Sequence, residues 1–117
     1  MNELIGRIVA SVGIDADAAS KAVGMMLGFL QSEGPADKVS AMIAAMPGAA
    51  EAMAAANYKQ GFMPGVMGLG SKLMAGGLGM GEITGVAKET IRFGREKLGS
   101  GEVDEIVASI SGLGQFV

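Results

Sequence analysis

The chain has neither cysteine nor histidine among its 117 residues. Disulfides, thiolate nucleophiles, imidazole bases, haem held by either residue and the usual zinc ligand set are therefore excluded. Aromatic residues are 4% of the chain and prolines number three, whereas methionines number ten and glycines twenty. A core made from such a chain is filled by aliphatic and thioether side chains, which adapt to gaps more than they lock into them. Positive charge is not in excess: the net charge is -3, which gives no general attraction to nucleic acid or anionic lipid. No uninterrupted run approaches the roughly 20 apolar residues that span a membrane. Lys72, Pro47, Pro64 or a glycine breaks each candidate. The opening MNELIGRIVASVG carries Glu3 and Arg7 where a secretory signal would have a basic and then an apolar region. These absences point to a soluble, cytoplasmic protein of one domain, with enough apolar residues for a real core.

What is present reads as helices. Leu4, Ile5, Ile8, Val9 and Val12 make one helical stripe after a cap at Asn2, and Gly13 supplies the left-handed residue that ends it. Asp15 or Asp17 can cap a second helix, whose stripe is Ala19, Ala22, Val23, Met26, Leu27 and Leu30 and which stops near Glu33 and Gly34. Pro35 suits the first turn of a third, with Val39, Met42, Ile43 and Met46 inward and Pro47–Gly48 as its end. Ala49 to Asn57 is alanine-rich and predicts a short helical connector ending over Tyr58 to Gly61.

The stretch Gly61 to Gly81 follows, with eight glycines, four methionines and Lys72 as its one charge. It reads as a seam between two copies of one unit. At an offset of 64 residues, Gly6 falls on Gly70, Gly13 on Gly77, Phe29 on Phe93, Val39 on Val103 and Gly48 on Gly112. The stripes match in kind: Ile5 meets Leu69, Val9 meets Leu73, Met42 meets Ile106 and Met46 meets Ile110. Self-similarity at a fixed offset is the mark of a tandem repeat. The expectation is an all-α compact bundle of about six helices in two three-helix units, 1–48 and 62–117, joined by a connector over 49–61. It requires Val66 to Gly76 to be helical despite its glycines, each of which costs roughly 1 kcal/mol against alanine in a helix interior. In the second unit Ile83, Val86, Ala87, Thr90, Ile91, Gly94 and Leu98 face inward, Arg92 and Glu96 can pair across one turn, and Ser100 can cap the last helix.

The copies differ at one conspicuous place. Lys88 and Arg92 stand where the first copy has Gly24 and Gly28, so Ala22 to Leu30 carries no charge on any side. A helix apolar all round is covered all round. Either Gly61 to Gly81 covers it, or a second protomer does, with glycines four apart allowing close approach. The interface expected from this pattern comprises Gly24, Met25, Gly28 and Phe29, together with Met67 and Met74 of the seam.

Catalytic and cofactor motifs fail on inspection. Gly65 to Lys72 resembles a phosphate loop but has Ser71 before Lys72, the reverse of the required order. Gly68-Leu-Gly70 and Gly77-Leu-Gly79-Met-Gly81 miss the third glycine of a dinucleotide fingerprint. Asp15-Ala-Asp17 begins like a calcium loop, yet Met26 stands where its bidentate glutamate belongs. Glu102, Asp104 and Glu105 read as solvated acids at a helix start. Lys88, Arg92 and Arg95 are interleaved with Glu89 and Glu96, which argues against nucleic acid. The methionines offer soft ligands to Cu(I), although helix-core spacing explains them better. No cofactor, no metal and no enzymatic activity are expected.

The opening NELIGRIVASVG, the GMMLGFLQ helix, AMPGAAEAM, the Gly/Met-rich middle and the second two-helix unit together resemble small bacterial domains of unknown function of the VcgC/VcgE type. The resemblance implies a bacterial, helical, non-catalytic protein. Two functions follow as expectations. One is a protein-interaction or assembly module, a homodimer in its simplest form. The other is an apolar-ligand or membrane-surface protein whose seam helix moves to admit an acyl chain into a methionine-lined interior.

Overall fold

The computed structural model describes residues 2–58, 65–110 and 112–115. The described residues form seven α-helices and no strand: α1 (Asn2–Val12), α2 (Ala16–Glu33), α3 (Ala36–Ala45), α4 (Ala49–Ala56), α5 (Gly65–Ala75), α6 (Met80–Leu98) and α7 (Ser100–Ser109). A single 3₁₀ turn, Leu113–Gln115, follows α7. The expected end of the connector at 59–61, and Pro64 with it, lie outside the described residues.

Local chemistry sets most boundaries. Gly13 takes φ +84°, and its N–H donates to the Val9 carbonyl at 3.2 Å, which stops α1. The Asp15 carboxylate accepts from the Ala18 N–H at 2.7 Å and opens α2. Two caps differ from expectation by one residue. Pro35 sits just outside α3 with extended backbone, and Gly99 rather than Ser100 precedes α7. The reason at Gly99 is its φ of +126°, a conformation that a serine reaches only with strain. The Gly79 N–H donates to the Glu82 carboxylate at 2.8 Å, fixing the start of α6.

Two long helices carry the packing. α2 touches α1, α3, α4, α5 and α6, and α6 touches α1, α2, α3, α5 and α7. Phe29, Met26, Leu27 and Leu30 from α2 meet Ile91, Phe93 and Val86 from α6 in one core, closed by Leu4 and Ile8 of α1 and by Val39, Met42, Val103 and Ile106 of α3 and α7. All of these are 2% exposed or less. Thr90 is wholly buried and donates its hydroxyl to the Val86 carbonyl at 2.8 Å, so the one buried polar side chain among the described residues is satisfied. Shorter contacts hold the periphery. Arg7 of α1 bridges Glu3 and Glu96 and lies 5.5 Å from the Phe93 ring centre, Lys38 of α3 bridges Glu102 and Glu105 of α7, and Arg95 meets Asp104 at 2.8 Å. Glu96 therefore pairs with α1 and not, as its spacing suggests, with Arg92, which turns to Glu89 at 3.2 Å.

The connector has become a packing element. Gly24 faces α4 so closely that a Cβ there would fall 2.7 Å from the Ala56 Cβ and overlap the Ala52 carbonyl. At Gly28 a Cβ would stand 2.9 Å from that of Tyr58, whose ring meets Phe29 edge-on at 6.4 Å. The Gly24–Gly28 strip of α2 is thus covered by α4 and Tyr58 within the same chain, while α5, from the expected seam, packs on α2 beside Ala22, Met25 and Met26.

Candidate functional site: an apolar cleft beside α5

With the glycine strip occupied, the open apolar surface lies elsewhere. It is a cleft of about 270 Å³ between α5 and α6, with Met26 of α2 and Leu113 of the terminal turn also lining it. From α5 come Val66, Met67, Leu69, Gly70, Ser71 and Met74; from α6 come Met80, Ile83 and Ala87. The cavity exists because side chains are missing there. A Cβ built on Gly70 meets nothing within 4 Å, and Ala87 opposite contributes only a methyl group.

Three of the lining methionines stand out to solvent: Met67 is 69% exposed, Met74 50% and Met80 52%. They form the mouth, whereas Met26 is 1% exposed and belongs to the core below. Among the described lining residues Ser71 has the only polar side chain, and none is charged. Lys72, the one charge of α5, turns away, its ammonium 5.6 Å from the Tyr58 ring centre. There it joins Lys21, Met25 and Leu73 around a second, smaller hollow of about 70 Å³ between α2 and α5. The glycine-rich helix is therefore flanked by open space on both sides.

The expected interface residues divide accordingly. Gly24 and Phe29 are buried inside the fold, Gly28 is half-buried against Tyr58, Met25 is half-buried beside the smaller hollow, and Met67 and Met74 are at the mouth of the larger cleft. Met80 and Ser71 are not among the interface residues the sequence suggests; Met80 begins α6, and Ser71 stands in the rejected phosphate motif. Helical spacing carried no sign that the methionines at these positions would be left uncovered.

No described residue of the cleft lining is titratable, which leaves an apolar concavity of the kind that holds apolar groups. The perturbed groups lie elsewhere. Glu96 is held below the ordinary carboxylate range by the hydrogen bond from Arg7, Lys38 is raised by its bond to Glu105, and the Tyr58 phenol is pushed up by burial and by nearby Glu33. Among the described residues no group of three carboxylates is placed to hold a metal ion. No single described helix is long and apolar enough to cross a membrane; α3 and α4 pass such a test only as a pair bent by 111°. Comparison of the chain with protein-family models, curated proteins and solved structures gives no match.

Proposed function

We propose that the protein is a non-enzymatic binding protein whose working site is the cleft beside α5, and that this cleft takes the hydrocarbon part of a small apolar or amphiphilic molecule. One observation carries the reading: a concavity of about 270 Å³ in which, among the described lining residues, Ser71 alone has a polar side chain. An apolar cavity of about 150 Å³ already holds benzene, so the volume suits something larger, such as a short alkyl chain. With no cation among its described residues, the lining gives a carboxylate no reason to enter. The head group stays at the mouth, where the Ser71 hydroxyl favours an uncharged hydrogen-bonding end. Glycines in the α5 wall leave that helix with low stability of its own, held by packing on α2 and α6, which eases entry.

The test is titration with the neutral fluorophore N-phenyl-1-naphthylamine, followed by displacement with 1-octanol and with octanoate. Saturable enhancement, displaced by the alcohol more readily than by the acid, is expected. Gly70→Leu fills the void at a position where a side chain meets no neighbour. It should fold normally and lose the probe. Wild-type affinity in the plugged variant removes the reading.

The protein-interaction reading survives in one form, favoured by the exposure of Met67, Met74 and Met80 around a single apolar hollow. Such a mouth accepts an aliphatic side chain from a second copy as readily as a ligand tail, because methionine adapts to either. Light scattering decides it: a wild-type monomer at high micromolar concentration removes this form.

We also infer that the chain is two copies of one unit. Support comes from the shared offset of 64 residues between the starts of α2 and α6 (Ala16 and Met80) and between both ends of α3 and α7. Left-handed glycines recur at Gly13 and Gly77 and at Gly48 and Gly112. The turns after α3 and α7 repeat the same bonds, Met46 N–H to the Ile43 carbonyl and Ile110 N–H to the Val107 carbonyl. The first helix of each half packs against the second helix of the other, α1 on α6 and α5 on α2, as in a two-fold arrangement.

A further inference from the structure

Leucine would fill the volume of Met67, Met74 or Met80 about as well, so apolarity alone does not account for sulfur at all three exposed apolar positions of the described lining. Thioether side chains are flexible and polarizable, which suits an adaptable entrance, and they are also readily oxidised. Exposure sets the cleft methionines apart from the core ones, with Met25 and Met53 half-buried between them. Met67, Met74 and Met80 are half exposed or more, while Met26, Met42 and Met46 are at 1% or below.

We propose that the methionine mouth is an oxidation site through which a hydroperoxide lowers the affinity of the cleft for its apolar ligand; this rests on the ligand-binding reading above. A sulfur lone pair attacks one peroxide oxygen, an S–O bond forms as the O–O bond breaks, and the proton goes to the departing oxygen. The thioether is oxidised by two electrons to the sulfoxide, and the hydroperoxide is reduced to an alcohol, or to water if it is hydrogen peroxide. The new oxygen is a strong acceptor at the entrance of a hollow where, among the described lining residues, Ser71 is the one side-chain donor. A bound alkyl chain would strip water from three such oxygens and return too few hydrogen bonds. Buried Met26 is shielded, so the interior keeps its packing while the mouth changes polarity. Methionine sulfoxide reductase reverses the change.

The full-length protein is treated with graded hydrogen peroxide, and each sample is divided between peptide mass spectrometry, helix content by circular dichroism, and titration with N-phenyl-1-naphthylamine. Met67, Met74 and Met80 should gain oxygen before Met26, Met42 and Met46, helix content should hold, and probe affinity should fall roughly tenfold, recovering after reductase treatment. The Met67→Leu/Met74→Leu/Met80→Leu variant should bind the probe and keep its affinity under the same peroxide. Met74→Gln should weaken binding with no oxidant. Full affinity with all three sulfoxides formed, or an equal loss in the triple leucine variant, overturns the inference alone. Absence of probe binding before oxidation overturns the ligand reading and this inference with it.

Discussion

Adding one methyl group at Gly24 and at Gly70 should have opposite effects. Both are interior helix positions, and in both an alanine would raise helix propensity by roughly 1 kcal/mol. At Gly24 the methyl meets the Ala52 carbonyl and the Ala56 Cβ, backbone and a short side chain that have no rotamer to give. Gly24→Ala should therefore destabilise the fold by about 1–3 kcal/mol, the usual range for an overpacked site. At Gly70 the methyl enters open space, and Gly70→Ala should stabilise by about 0.5–1 kcal/mol. Urea midpoints of the two variants that move in the same direction would contradict the packing described. The sequence alone presents these as two glycines in apolar surroundings. What distinguishes them is whether another helix lies opposite, and that is a property of the fold.

On the duplication inferred above, helix α4 accounts for where the two halves differ. It covers the Gly24–Gly28 face of α2, so that face needs small residues and tolerates no charge. The corresponding face of α6 carries Lys88 and Arg92, both exposed, and after α7 the described chain makes only the 3₁₀ turn Leu113–Gln115 in the place of α4. The connector could be read as helical from its alanines, but alanines on every side mark no buried stripe, so its docking face was illegible. The duplication is tested at this scale. In an experimental structure, Ala16–Ala45 should superimpose on Met80–Ser109 as one rigid helix pair, with the same crossing of α2 on α3 as of α6 on α7. Crossings of different sense would end that inference.

At the scale of the molecule, ion pairs tie distant segments together: Arg7 to Glu96, Lys38 to Glu102 and Glu105, and Arg95 to Asp104. Glu96 has a folded-state pKa below its ordinary value, so its contribution to stability is complete above the ordinary carboxylate range and is lost as pH falls through the lowered value. Lys38 is raised, so its contribution is complete below the ordinary lysine value and is lost as pH rises through the raised one. Urea midpoints should form a plateau around neutrality with a decline on either side. Both declines should shrink in about 1 M salt, where the screening length is about 3 Å, and Glu96→Gln should flatten the acid side. An acid side unchanged by Glu96→Gln would refute this account of it.

The sequence by itself determined the helices and where they stop, because apolar spacing, left-handed glycines and a capping aspartate act within a few residues of each other. It also excluded the chemistry of cysteine and histidine. Only the tertiary structure decided which helix lies on Gly24, which partner Glu96 takes, and where three methionines stand uncovered around a hollow. Those outcomes depend on groups brought together from remote parts of the chain, and the hollow depends on side chains that are not there, which leaves no periodic mark in a sequence.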